Sequence, residues 1–141
     1  MNAARIQRIQ SSFDYLAPRA DELVERFYAT LFATHPEVRS MFPADMNDQR
    51  QKLKASIALV VRNVARFEEL TPALEQMGAR HADYGVLPAH YPIVRDTLLG
   101  VMAEMAGDVW TAQLTEDWSA ALNAVAGVMI NGQQQAGRKA A

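Results

Sequence analysis

Residues 77–94 read MGARHADYGVLPAHYPIV and hold two of the chain's three histidines. Their spacing decides the fold. Leu74, Met77, His81 and Tyr84 follow one another at three, four and three residues, the interval that brings side chains onto one face of an α-helix. Thr71 is positioned to cap that helix, Pro72 to be its first residue and Gly85 to stop it. A second helix begins in LPAHYPIV, carries Val94, Leu98, Val101, Met102 and Met105, and ends at Gly107. His81 therefore lies mid-helix, in line with apolar residues. His90 falls in the first turn of the next helix and reads as a surface residue, as does His35.

The same period extends in both directions. Ile6, Ile9, Phe13 and Leu16 mark a first helix, bounded by Pro18. Leu23, Val24, Phe27, Tyr28, Leu31 and Phe32 mark a second. Thr34 then caps a short third helix that holds Pro36 in its first turn and runs to about Met41. FPADMND is a corner that offers cap residues between Asp45 and Asp48. A long helix over 47–66 turns Gln49, Leu53, Ser56, Ile57, Val60, Val61 and Val64 inward. A last helix carries Leu114, Trp118, Leu122, Val125, Val128 and Met129. No alternating strand pattern persists. The reading is an all-α fold of seven to eight helices, one domain over 1–135 and a short flexible tail over 136–141.

Composition limits the functions available. The chain has 141 residues, is 50% apolar and 21% charged, and carries a net charge of −2, so no electrostatic footprint for nucleic acid is present. It has no cysteine, which excludes disulfides, thiolate metal sites, iron–sulfur clusters and cysteine nucleophiles, and fits a cytoplasmic setting. No run approaches the roughly 20 apolar residues that cross a bilayer. The N-terminal MNAARIQRIQSSFDYL lacks the apolar core of a signal peptide. There is no glycine-rich phosphate loop, no HExxH pair and no GxSxG elbow. Glu22, Glu25, Glu68, Glu69 and Glu75 sit on outer helix faces, where carboxylates are normally solvated.

Three polar residues remain on apolar stripes: Tyr28, Gln49 and His81. Singly, each has an ordinary explanation. A histidine on an apolar face is more often a hydrogen-bonded core residue than a ligand, a glutamine can open a helix, and a tyrosine can reach the edge of a core. Together they describe facing helices, one with a nitrogen donor and the others with hydrogen-bonding groups. A flat prosthetic group between them accounts for all three, and haem iron needs one strong axial ligand and a tuned pocket opposite.

The sequence resembles the globins, specifically bacterial single-domain haemoglobins related to the flavohaemoglobins. FYATLFATHPEVRSMF, QRQKL, ARHADYGVLPAHYPIVRDTLL, GDVW and LTEDWSAAL carry the resemblance, which extends over about residues 5 to 133. It implies haem b as cofactor and His81 as the iron ligand. It implies that Phe42 packs flat on the haem, that Tyr28 and Gln49 form the distal hydrogen-bonding pair, and that Leu53 lies over the iron. Val86, Tyr91 and Val94 match the proximal wall, Ile57 and Met77 complete the cofactor-binding set, and Lys52 and Arg80 lie toward the haem propionates. A neutral imidazole is a good iron ligand, and two distal donors suit a dioxygen ligand that carries partial negative charge.

Two departures from that family bear on function. In flavohaemoglobins the proximal histidine belongs to a network with a tyrosine and a glutamate. Here Tyr91 is present, but NGQQQ aligns Gln133 with the glutamate. A neutral amide pushes less electron density through the imidazole, which favours holding dioxygen over cleaving it. The chain also ends where a flavin reductase domain begins in those relatives, so NO dioxygenation is expected to draw on an external reductase. The resemblance thus implies a reversible dioxygen-binding protein for oxygen transport or delivery, a monomer or homodimer with dioxygen or NO as small ligands, and NO detoxification as its turnover chemistry. The alternative is a gas-sensing or redox-signalling globin read by a partner protein. A globin fold without haem is weighed against by the presence of both His81 and Phe42.

Overall fold

Helix α1 spans Ala3–Leu16, α2 Ala20–Thr34, α3 Asn47–Arg62, α4 Thr71–Asp83, α5 His90–Ala106 and α6 Ala112–Ala140. A computed structural model describes the backbone of residues 1–140 and the side chains of residues 1–138. Four short 3₁₀ segments, Ala17–Arg19, Pro36–Met41, Val64–Leu70 and Gly107–Val109, join the helices. The short helix expected to run to about Met41 is thus a 3₁₀ segment, and six α-helices form among the described residues where seven to eight helices were expected. No strand occurs among the described residues.

Each boundary has a local cause. Asn2 caps α1 by accepting the Arg5 amide at 2.8 Å. Phe42 is extended (φ −121°, ψ 154°), as a residue before proline prefers. The Asp45 carboxylate accepts the Asn47 amide at 2.9 Å where α3 begins. The expected helix over 47–66 ends earlier, at Arg62, and Arg66 leaves helical geometry altogether (φ −129°, ψ 51°). Thr71 is the first residue of α4 rather than its cap. Thr34 likewise closes α2, its hydroxyl donating back to the Thr30 carbonyl at 2.8 Å, and does not cap the next turn. Gly85 (φ +83°) and Gly107 (φ +58°) take the left-handed backbone that ends α4 and α5. Residues 136–140, read from sequence as a tail, continue α6 in this structure, and residue 141 lies outside the described residues.

The apolar stripes bury as two clusters. The larger joins α1, α2, α3, α5 and the first half of α6 through residues such as Leu23, Phe27, Tyr28, Ile57, Met102 and Trp118. The smaller contains Leu70, Leu74 and Met129, with Met77, Tyr91 and Val125 packed on it. It exists because α4 and α6 cross at very short range. A Cβ on Gly78 would lie 1.9 Å from the Met129 carbonyl oxygen, and one on Gly132 would lie 2.2 Å from that of Glu75. Only glycine allows both backbones so near.

One carboxylate departs from the outer-face pattern. Asp117 on α6 is fully buried. It accepts from Arg5 at 3.0 Å and from Arg8 Nη2 at 2.9 Å on α1, and from Gln113 at 3.1 Å. These partners hold its pKa below the usual carboxylate range, the Arg8 hydrogen bond most of all. Beside it, the Trp118 indole donates to the Ser12 hydroxyl at 2.9 Å.

Candidate functional site

Three elements build the first half of the site. Tyr28 comes from the buried face of α2, Phe42 from the corner after Pro36–Met41, and Gln49 from the first turn of α3. The Gln49 amide Nε2 donates to the Tyr28 hydroxyl at 3.1 Å. The phenol is only 5% exposed, and burial raises its pKa, so it keeps its proton at neutral pH. Because the hydroxyl accepts from Gln49, its own O–H remains free to donate to a third group.

The Tyr28 ring is held by aromatics. Phe27 meets it edge-on at 4.9 Å between centroids, Phe42 at 5.6 Å, and Phe32 lies at 5.8 Å. Phe32 and Phe42 also meet edge-on at 5.3 Å. The Phe42 corner is tied down by Arg39, which sequence reasoning missed. Its guanidinium donates to the carbonyls of Phe42, Pro43 and Ala44 at 3.3, 3.0 and 3.2 Å and lies 4.9 Å over the Phe32 ring. No periodicity could flag this, since an arginine in a short turn has no stripe to break. Leu53 and Ile57 follow Gln49 along α3 and pack into the larger cluster.

The second half centres on α4 and α5. His81 lies in the last turn of α4 rather than mid-helix. Its Nδ1 meets the Met77 carbonyl at 2.6 Å. A carbonyl only accepts, so Nδ1 carries the proton and Nε2 carries the lone pair. Burial lowers the imidazole pKa, against the raising effect of that hydrogen bond, and nearby Arg80 lowers it further. His81 is therefore a half-buried neutral imidazole whose Nε2 has no hydrogen-bond partner among the described residues.

The Tyr91 ring lies nearly parallel to His81, 25° apart with centroids at 6.5 Å. The Tyr91 hydroxyl donates to Gln133 Oε1 on α6 at 2.9 Å, and Gln133 Nε2 donates to the Val86 carbonyl at 2.7 Å. The Val86 amide in turn donates to the His81 carbonyl at 3.0 Å. Met77 contributes its carbonyl and packs on the smaller cluster. Lys52 and Arg80 are exposed, and among the described residues neither forms an ion pair.

One expected wall residue and one residue of the His81 stripe turn outward. Val94 is 37% exposed, and Tyr84, the last member of the His81 stripe, is 56% exposed. Tyr84 falls just after the final helical residue, so the helical register no longer aims it inward. Leu87 is also exposed, so His81 sits beside an outward apolar rim. His90 accepts the Leu87 amide on Nδ1 at 2.9 Å, and His35 pairs with Glu37 at 3.2 Å.

The structure thus forms two groups: Tyr28, Phe42 and Gln49 in one, and Met77, His81, Val86, Tyr91 and Gln133 in the other. No hydrogen bond among the described residues joins them. Among those residues no three His, Asp or Glu side chains come together to hold a metal ion, so His81 stands as a single nitrogen donor. Among the described residues no helix is long and apolar enough to cross a membrane.

Comparisons with known proteins agree with this architecture. A flavohemoprotein of Deinococcus radiodurans is 31% identical over 125 residues, covering 86% of this chain and 31% of the relative. One of Bacillus subtilis is 28% identical over 128 residues, covering 89% and 32%. The chain spans about a third of the length of these curated relatives. Among solved structures, a bacterial globin from Campylobacter jejuni superposes with a TM-score of 0.85 at 23% identity, covering 95% of this chain and 97% of that one. An engineered carbene transferase from Rhodothermus marinus, itself a proposed nitric oxide dioxygenase, superposes with a TM-score of 0.86 at 25% identity, covering 96% and 94%. A flavohemoglobin of Malassezia yamatoensis, with bound FAD and heme, reaches 0.78 at 21% identity, covering 96% of this chain and 37% of that one. The globin family model matches residues 25–129, and the chain belongs to the globin family.

Proposed function

We propose that this globin binds haem b through His81 and holds a diatomic ligand, dioxygen first, against Tyr28 and Gln49. The observation that carries the reading is the state of His81. Its Nδ1–H is committed to the Met77 carbonyl, which leaves Nε2 as the basic nitrogen of a neutral imidazole. That is the form and tautomer an axial iron ligand requires. The rest of the donor set fits the same group. Phe42 offers an aromatic face, Leu53 and Ile57 offer apolar cover, and the exposed cations of Lys52 and Arg80 suit carboxylate-bearing edges. With no cysteine in the chain, thioether attachment is unavailable, so the haem is held non-covalently.

Haem supplies the iron to which dioxygen or NO binds. The protein's own residues do the rest. Tyr28 keeps its proton because it is buried, and Gln49 orients the phenol by donating to its oxygen. The free O–H is then a donor for a ligand that gains negative charge, among the rings of Phe27, Phe32 and Phe42, where such a bond is strong. On the opposite side, Tyr91 finds a neutral amide at Gln133. No carboxylate draws on the imidazole through Tyr91, which favours keeping dioxygen intact.

Turnover chemistry in keeping with flavohemoprotein relatives is NO dioxygenation. NO and dioxygen, with one electron from a reductase, give nitrate. The reading places the protein in the cytoplasm, as a monomer or homodimer. Aerobic NO consumption by the purified protein, with an added flavin reductase and NADH, tests the enzymatic part. Stoichiometric nitrate is expected. Reversible oxygenation without NO consumption would leave it an oxygen-binding protein and reject the dioxygenase.

A further inference from the structure

We infer that Gln133 is a positioning residue whose amide, and not merely a polar group of its size, clamps both surroundings of His81 to α6. The inference rests on His81 as the iron ligand for its functional meaning, but its geometry stands apart from that assignment.

Gln133 reaches two elements at once. Through Oε1 it accepts the hydroxyl of Tyr91, whose ring lies parallel to the His81 ring. Through Nε2 it donates to the carbonyl of Val86, and the Val86 amide is bonded back to the His81 carbonyl. One side chain therefore closes a circuit around the end of α4. Chemistry fixes the orientation of the amide. The Val86 carbonyl can only accept, so the nitrogen must face it and the oxygen must face Tyr91.

Two further features make the clamp necessary. Tyr91 lines a cleft of about 240 Å³ between α5 and α6, together with Pro88, Pro92, Leu122, Ala126 and Ile130. One side of the ring is thus not wedged by packing, and the hydroxyl tether holds it. Gly132 and Gly78 bring α6 against α4 at backbone contact. Gln133 follows Gly132 directly, so the clamp's root is fixed on the same rigid crossing that carries His81 three residues after Gly78.

A glutamate at 133 keeps the acceptor for Tyr91 but has no N–H, and it would set a carboxylate oxygen against the Val86 carbonyl. A leucine loses both bonds. The test compares Gln133→Glu and Gln133→Leu with the parent protein as purified, by hydrogen exchange over residues 84–91 and by the iron–histidine stretching frequency of the ferrous, haem-loaded protein. Both variants should exchange the amides of Gly85 and Val86 about tenfold faster, from the loss they share of the part-buried hydrogen bond to the Val86 carbonyl, while amides around Phe27 in α2 stay unchanged. Gln133→Leu should also shift or broaden the iron–histidine band by freeing Tyr91. Parental exchange over 84–91 in the isosteric Gln133→Glu overturns the inference, as does an iron–histidine band in Gln133→Leu identical to the parent's. If the chain takes up no haem, the haem reading fails, and the exchange data still decide whether the clamp exists.

Discussion

Across the α4–α6 crossing Gly78 packs on the backbone of Met129 and Gly132 on that of Glu75, so closely that neither glycine tolerates a Cβ without driving it into the other helix. This contact fixes where His81 and Gln133 stand, because each is anchored within one turn of it. Backbone atoms cannot rotate aside as a flexible side chain can. Gly78→Ala should therefore destabilise the fold by about 3 kcal/mol, the upper end of overpacking costs, and Gly132→Ala similarly. Urea unfolding measures this. A loss below about 0.5 kcal/mol, typical of a surface change, would show that the helices do not touch.

Asp117 should contribute to the fold's acid sensitivity. Its folded-state pKa lies below that of an unfolded aspartate, owing first to the Arg8 hydrogen bond. Its contribution is complete above the unfolded value of about 4 and is lost as pH falls through the folded value. Asp117→Asn should lower stability at pH 7 by about 2 kcal/mol, less than for a fully enclosed pair because Arg5 and Arg8 remain partly exposed. It should also flatten the decline below pH 4. An unchanged acid limb would assign that decline to other carboxylates.

Tyr28 and Gln49 should control ligand release. A hydrogen bond of about 1.4 kcal/mol corresponds to a tenfold change in equilibrium. Tyr28→Phe is expected to raise the dioxygen dissociation rate about tenfold in stopped-flow measurements, and Gln49→Ala to raise it less, since the phenol remains. Parental rates in both variants would remove the pair from the ligand's surroundings.

Much of this was legible in the sequence for physical reasons. The 3.6-residue period located all six helices because their buried faces are nearly free of polar residues. Gly85 and Gly107 marked helix ends because only glycine adopts their backbone at no cost. Tyr28, Gln49 and His81 stood out as exceptions on apolar stripes. What stayed hidden depends on distant chain segments. Nothing in the period distinguishes Arg39 in its turn from a solvated arginine, and nothing in EDW marks Asp117 as a partner of Arg5 and Arg8. The apolar stripes also overran at Tyr84, which falls just past the end of α4, and at Val94, which lies inside α5 but faces outward.

Arg39 is the device that holds Phe42 in place, through three backbone carbonyls and the Phe32 ring. Arg39→Ala should lower stability by about 1 kcal/mol and quicken amide exchange over residues 39–45, with α4 and α5 unaffected. Unchanged exchange in that corner would mean that aromatic packing alone positions Phe42.

The central claim is that His81 Nε2 is the axial ligand of a bound haem, and haem stoichiometry with the visible spectrum tests it most directly. The parent protein supplied with haem should hold one per chain, and the ferrous form should show a reversible oxygenated spectrum. His81→Ala should lose the haem while keeping its helical circular dichroism, and added imidazole should restore binding by filling the ligand's place. A parent chain that stays colourless with haem in excess, or a His81→Ala variant that retains one haem per chain with the parental spectrum, would contradict the account.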